Sequence, residues 1–145
     1  MAIKIIDGDF DPYREVQNFQ QELEKKLGAG QYGATAIFVG SMRDFNEEHG
    51  VVSMELEHYP GMTESALEAI YNEAKATYSI IDALVVHRVG SIQPNDSIVL
   101  VAVWSAHRAA AYDANRFIME ALKSKAPFWK KENTPDGIKW VSKNT

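Results

Sequence analysis

Apolar residues recur along this chain at several distinct rhythms, and each rhythm predicts an element. Tyr13, Val16, Phe19, Leu23 and Leu27 are spaced by three or four, as on one face of a helix. Asp11 supplies an N-cap, Pro12 the first helical position and Gly28 a stop. Leu67, Ile70, Tyr71, Ala74 and Tyr78 predict a second helix. A third, long helix is expected over about residues 106–124, burying Phe117, Ile118 and Leu122, with Pro127 beyond its end.

Other stretches read as strands. Residues 2–6 form a short one. The run at residues 33–39 (GATAIFV) is apolar and β-branched and predicts a buried strand, and residues 83–89 read as a further central strand. Val52, Met54 and Leu56 alternate with Ser53, Glu55 and Glu57, so that strand is half exposed and ends at Tyr59-Pro60-Gly61. SIVLVAVW, residues 97–104, comes after the turn residues Gln93-Pro94-Asn95-Asp96 and should close a hairpin with the run before it. Residues 41–50 are polar and read as a loop. The tail PFWKKENTPDGIKWV places a Thr-Pro-Asp-Gly turn between two aromatic strands and predicts a C-terminal β-hairpin. Two to three helices with antiparallel hairpins favour an α+β fold over a doubly wound one. A single domain over residues 1–145 is expected.

Composition narrows the function. The formal net charge is -5 and no cysteine is present. The chain therefore has no thiol of its own to act as nucleophile or sulfur carrier. Its acidic balance speaks against a nucleic-acid partner. MAIKIIDGDFDP is too short and acidic for a signal peptide, and no apolar run approaches the roughly 18 residues of a membrane span. A soluble, cytoplasmic protein without membrane attachment is expected. Gly28 to Gly33 matches G-x-G-x-x-G by letters, but a helix precedes it and a strand comes after, the reverse of a dinucleotide site. His49, His58, His87 and His107 show no metal-ligand spacing, and neither Ser41 nor Ser105 lies in G-x-S-x-G. No metal and no cofactor are expected.

Against the acidic background, KSKAPFWKKE, residues 123–132, gathers four lysines around Ala-Pro-Phe-Trp. Lys123 falls in the last turn of the long helix, where a cation favours the dipole in any case. Lys130 and Lys131 fall on a strand, where neighbours face opposite ways, so at most one faces a given pocket. Arg43 lies just past a strand. His107 and Arg108 stand where a strand turns into the long helix, a place suited to an anion; surface pairing of Arg108 with an acid is an equal alternative. Arg108 and Lys123 lie roughly 22 Å apart at about 1.5 Å per helical residue. One small ligand reaches both only if two copies of the chain build the site.

FVGSMRDFN, LEHYPGMTE, VVHRVGSI, SAHRAAAYDA, FIMEALKSKAPFWKKE and GIKWV resemble the large, catalytic subunit of molybdopterin synthase, over about residues 33–141. The resemblance implies an α/β hammerhead fold with an added antiparallel sheet. It implies a sulfurtransferase that converts cyclic pyranopterin monophosphate (precursor Z) to molybdopterin by inserting two dithiolene sulfurs. The sulfur would come from the C-terminal Gly-Gly thiocarboxylate of a small ubiquitin-like subunit, within a heterotetramer built on a homodimer. By residue, it implies catalytic Lys123 and Lys130, with Lys123 beside the carrier's tail. It further implies substrate contacts by Arg43 and by His107 and Arg108 across the dimer, with Ser41, Met42, Lys131 and Glu132 flanking the pocket. Phe128 and Trp129 either wall the carrier's channel or pack as ordinary core. A non-catalytic, dimeric phosphate- or pterin-binding module and a purely structural dimer are the rival readings.

Overall fold

The computed structural model of the chain describes residues 2–43, 45–46, 49–50, 53–135 and 137–141. In chain order the elements are β1 (Ala2–Asp7), α1 (Pro12–Leu27), β2 (Ala34–Ser41), β3 (Phe45–Asn46), β4 (His49–Gly50), β5 (Ser53–His58), α2 (Met62–Thr77), β6 (Ile80–Ile92), β7 (Ser97–Ser105), α3 (Arg108–Lys125), β8 (Phe128–Thr134) and β9 (Gly137–Val141). The expected α+β class holds. Seven strands form one sheet in the order β2-β7-β6-β5-β8-β9, with β1 also on β6. All its pairings are antiparallel except β1 with β6, which is parallel. β3 and β4 form a separate two-stranded ladder.

β6 and β7 are the centre, and both of their faces are covered. Ala83, Val85, Val99, Val101 and Val103 point to the side where α2 and α3 supply Leu67, Ile70, Ala114, Ile118 and Leu122. Leu84, Val86, Leu100, Ala102 and Trp104 point to the other side and meet Val16 and Leu23 of α1. Two-sided burial is why these strands are mainly apolar on both faces, with Asp82, His87 and Arg88 as buried polar exceptions in β6, whereas β5, with only Met54 and Leu56 turned inward, alternates. Trp104 is fully buried, and its indole N–H donates to Gln20 Oε1 at 3.0 Å.

The predicted elements are present, with informative departures. Asp11 caps α1 through bonds from the Tyr13 and Arg14 N–H groups, and Gly28 ends the helix. Tyr13 and Leu27 are exposed rather than buried, because only the middle of α1 lies against the sheet. The run at residues 33–39 is not a buried strand. It forms the edge strand β2, paired to β7 on one side, with Ile37 47% and Phe38 42% exposed. The polar stretch 41–50, read as a loop, contains the β3–β4 ladder. Val52, Asp136 and the loop positions Asp44, Glu47 and Glu48 lie outside the described residues. Arg108 opens α3, so Ala106 and His107 precede the helix instead of forming its first turn. The β6–β7 turn and the C-terminal β8–β9 hairpin form as expected.

One glycine shapes the platform. β6 pairs with β1 from Leu84 to Val89 and with β5 from Gly90 to Ile92. At Gly90 the strand passes from one neighbour to the next, with φ +87. A Cβ there would lie 2.5 Å from Asp7 Oδ1 and would have to adopt a left-handed backbone. Gly90→Ala is therefore expected to lower stability by about 1–3 kcal/mol. Urea unfolding checks this; an unchanged midpoint would show that the switch between β1 and β5 tolerates a side chain.

Candidate functional site

The site forms where α3 ends and β8 begins. α3 stops because Pro127 cannot continue it, and the Ala126 N–H makes the last helical bond, to the Leu122 carbonyl. The chain turns at once: the Phe128 N–H donates to the Ala126 carbonyl at 2.9 Å. Fully buried Thr63 secures this corner from α2. Its Oγ1 lies 3.0 Å from the Tyr59 carbonyl and 3.3 Å from the Pro127 carbonyl, and accepts from the Tyr59 N–H at 3.1 Å. The short corner brings Lys123, in the last turn of α3, close to Lys130 of β8.

β8 sorts its own residues by alternation. Phe128, Lys130 and Glu132 stand opposite His58, Leu56 and Met54 of β5 and share their face. Trp129 and Lys131 point to the other face, where the Lys131 ammonium lies 4.9 Å from the Trp140 ring centroid. Of the two adjacent lysines, Lys130 alone therefore joins the site. Its ammonium lies 3.8 Å from Glu132 Oε2, with the two side chains only 13% and 9% exposed.

Partial desolvation and like charge act together on the exposed Lys123 and the half-buried Lys130. Partial desolvation lowers the Lys123 pKa, and the Lys130 charge lowers it further, against a weaker opposing pull from Glu120. Desolvation also lowers Lys130; Glu132 counters this, and the Arg43 guanidinium adds to it. Arg43, itself exposed, thus belongs to the same electrostatic cluster.

His87 completes the wall. It is 5% exposed, and its ring stacks on Phe128 at 3.8 Å between centroids and 16° between planes. Its Nδ1–H donates to the Arg88 carbonyl at 2.8 Å, because a carbonyl can only accept. That leaves Nε2 with a lone pair. Burial pushes the His87 pKa down to about 4; the Arg88 carbonyl opposes this, while Lys123 and His58 add to it. His58 stands 6.4 Å from Phe128 between centroids and 4.0 Å from Glu64 Oε1 through Nδ1.

The remaining sequence-derived candidates fall in three places. Ser41 is exposed at the end of β2, just past a register shift, and Met42 is buried against Met54, Leu56 and Ile92. Lys131 faces away. His107 and Arg108 are exposed at the start of α3, the full helix length from Lys123. Within one chain, then, Arg43, Lys123, Lys130 and Glu132 converge, and the His-Arg pair does not join them. Among the described residues no group of three His, Cys, Asp or Glu side chains could hold a metal. No described helix is long and apolar enough to cross a membrane.

The family model for the MoaE protein matches residues 13–125. The chain belongs to the MoaE family. The molybdopterin synthase catalytic subunit of Ralstonia nicotianae is 51% identical over 140 residues, covering 97% of this chain and 76% of that protein. The molybdopterin biosynthesis MoaE protein of Burkholderia ambifaria superposes with a TM-score of 0.79 at 48% identity, covering 97% of this chain and 89% of that one. Molybdopterin synthase from Staphylococcus aureus gives 0.81 at 30% identity, covering 95% of each. A catalytic subunit is an enzyme, and membership at this identity makes the chain an enzyme of molybdenum cofactor biosynthesis.

In this MoaE chain metal-ligand spacing points to neither His87 nor His58, and His87 lies inside a strand rather than at an element end. A usable signal was present. His87 interrupts the apolar run ALVVHRV, and a polar residue in a strand buried on both faces needs a partner for each polar atom.

The His87 environment fixes a sign for pH dependence. Above pH 6.5 the ring is neutral in both the folded and unfolded chains. Between pH 6.5 and about 4 the unfolded chain alone takes up the proton, so stability falls as pH falls through that window. At pH 5 this loss amounts to about 2 kcal/mol relative to pH 7. His87→Phe keeps a ring against Phe128 and is expected to lose less stability than wild type between pH 7 and 5, by about that amount. Urea unfolding at both values checks it; equal losses in the two proteins would clear His87.

Proposed function

We propose that the chain is the catalytic subunit of a sulfurtransferase that converts cyclic pyranopterin monophosphate to molybdopterin. Two sulfurs would arrive in turn as the C-terminal Gly-Gly thiocarboxylate of a small ubiquitin-like subunit. The observation that carries this reading is the pair Lys123 and Lys130, part-desolvated, with lowered pKa values, beside Arg43. Such a cluster suits a substrate bearing phosphate and a reaction that develops negative charge. The absence of cysteine accords with sulfur brought by a partner, since no residue here could carry it. The word subunit in the name of the Ralstonia nicotianae relative is in keeping with an assembly of more than one chain type.

The roles divide by chemistry. Lys123, whose amine is the more readily neutral for having Lys130 beside it, takes the proton or attacks the carrier's acyl carbon. Lys130 and Arg43 hold the phosphate and the charge that develops. Glu132 keeps Lys130 in place at 3.8 Å. At each transfer the thiocarboxylate sulfur bonds to a side-chain carbon of the pterin and displaces an oxygen there. Water then adds to the carrier's acyl carbon, the bond from that carbon to sulfur breaks, and the carrier leaves as a carboxylate. His107 and Arg108 serve the site from a second copy of the chain. Ile37 and Phe38 on β2, and Tyr112 on α3, leave apolar surface exposed on the elements that flank this pair, which favours self-association there.

Turnover with the precursor and the thiocarboxylated small subunit tests the reading. Lys123→Ala is expected to lower kcat by about 100-fold or more. Lys130→Met removes the neighbouring charge that depresses Lys123, so the rising alkaline limb of the kcat profile should move to higher pH. Near-normal rates for Lys123→Ala would remove the lysine from the chemistry. Binding of the precursor without any turnover would favour a binding module instead.

A further inference from the structure

The motif VVHRVGSI holds two adjacent polar residues, and β6 sends them to opposite sides. His87 borders the basic site. Arg88 points away from it, buried with its side chain 8% exposed, and engages two acids and a carbonyl. Its Nη1 lies 2.6 Å from Asp9 Oδ1 and 3.1 Å from Asp96 Oδ2, and its Nη2 donates to the Ser91 carbonyl at 2.8 Å. Among the described residues its Nε finds no partner. Stability alone gives a poor reason for this arrangement, because apolar residues of similar size commonly do as well as a buried ion pair.

What Arg88 holds explains it better. Asp96 closes the β6–β7 turn, and its carboxylate also accepts the Gln93 N–H at 2.9 Å. The same turn grips the chain leaving β2. The Met42 N–H donates to the Asp96 carbonyl at 2.9 Å, and the Asn95 N–H donates to the Met42 carbonyl at 2.8 Å. Asn95 reaches that position with φ 73. The β2–β7 ladder shifts register between Gly40 and Ser41 and ends there, so the ladder itself does not hold residues 42 and 43. Arg43 is the next residue after Met42. Its backbone is therefore set by the buried Met42 side chain and by the two bonds from the turn.

The geometry points to Arg88 as a positioning residue: through Asp96 and the 93–96 turn it fixes Met42 and so aims Arg43 into the basic site. This inference rests on the reading of Arg43 as a ligand for the substrate's phosphate.

Steady-state turnover of the complete enzyme, with its thiocarboxylated small subunit, tests it. Arg88→Met and Asp96→Asn are each measured alone and combined with Arg43→Ala. Arg88→Met should raise KM for the precursor about tenfold with kcat changed less than about threefold. Asp96→Asn should do the same to a smaller degree. Both effects should vanish in the Arg43→Ala background, since a residue acting through Arg43 has nothing left to aim. Asp9→Asn, which keeps an acceptor for the guanidinium and lies off the turn, should leave KM unchanged. Unchanged KM in Arg88→Met and Asp96→Asn, losses that add to those of Arg43→Ala, or an equal effect from Asp9→Asn would each overturn the positioning role while leaving Arg43's role intact. If Arg43→Ala alone has wild-type kinetics, the functional reading of Arg43 fails, and the inference falls with it. Should Arg88→Met not fold, Asp96→Asn, which preserves side-chain size and an acceptor for Gln93, decides the matter.

Discussion

Burial of the β6–β7 pair on both faces is the constraint on which the rest of this molecule depends. α1 covers one face and α2 with α3 the other, so the two strands lose almost all contact with water. A strand so enclosed must find partners within the protein for nearly all of its polar atoms. The pair can then serve as a rigid base, and the functional groups are mounted at its margins: at the far end of α3, on the added strands β5 and β8, and on the turn that joins β6 to β7. Each group is carried by an element whose own packing is already settled.

The basic site uses that base to keep positive charges closer than water would favour. Lys123 comes from a helix end and Lys130 from the next strand along the chain, with a proline corner between them. Lys123 is exposed and Lys130 half-buried, and each keeps one compensating acid, Glu120 or Glu132. The outcome is two amines that give up a proton more readily than exposed lysines, without the large cost of a fully buried cation. The neutral His87 ring beside them adds a flat, uncharged wall on Phe128. A protonated imidazole there would add a further positive charge to the cluster, and burial opposes it.

The contrast between His87 and Arg88 shows how one strand serves two ends. Successive side chains of a strand point to opposite faces, so a single His-Arg dipeptide supplies one residue to the wall of the site and one to the anchorage of a turn. Alternation does the same in β8, where Lys130 and Glu132 join the site and Lys131 meets Trp140 on the other face. In both strands the chemistry available to the site is set by the parity of the residue number as much as by residue type.

Local pattern alone was enough to read the α+β class, the three helices, the α1 cap at Asp11, the β6–β7 and β8–β9 hairpins and the opposed directions of Lys130 and Lys131. Each depends on residues near one another in sequence, through period, capping or turn chemistry. The family resemblance carried by KSKAPFWKKE and FVGSMR also pointed to Lys123, Lys130 and Arg43, which the fold brings into one electrostatic cluster. Tertiary structure decided what local pattern cannot contain. The apolar run 33–39 became an edge strand with Ile37 and Phe38 exposed, because strand order, and not hydrophobicity, settles which strands have two neighbours. Met42 went into the core while Arg43 stayed out, because the 93–96 turn, distant along the chain, holds the backbone at Met42. His87 came to face the lysines because β6, β8 and α3 meet there. Long-range pairing of this kind leaves only a faint trace in one sequence, since many sequences with the same local periods could be assembled in another order.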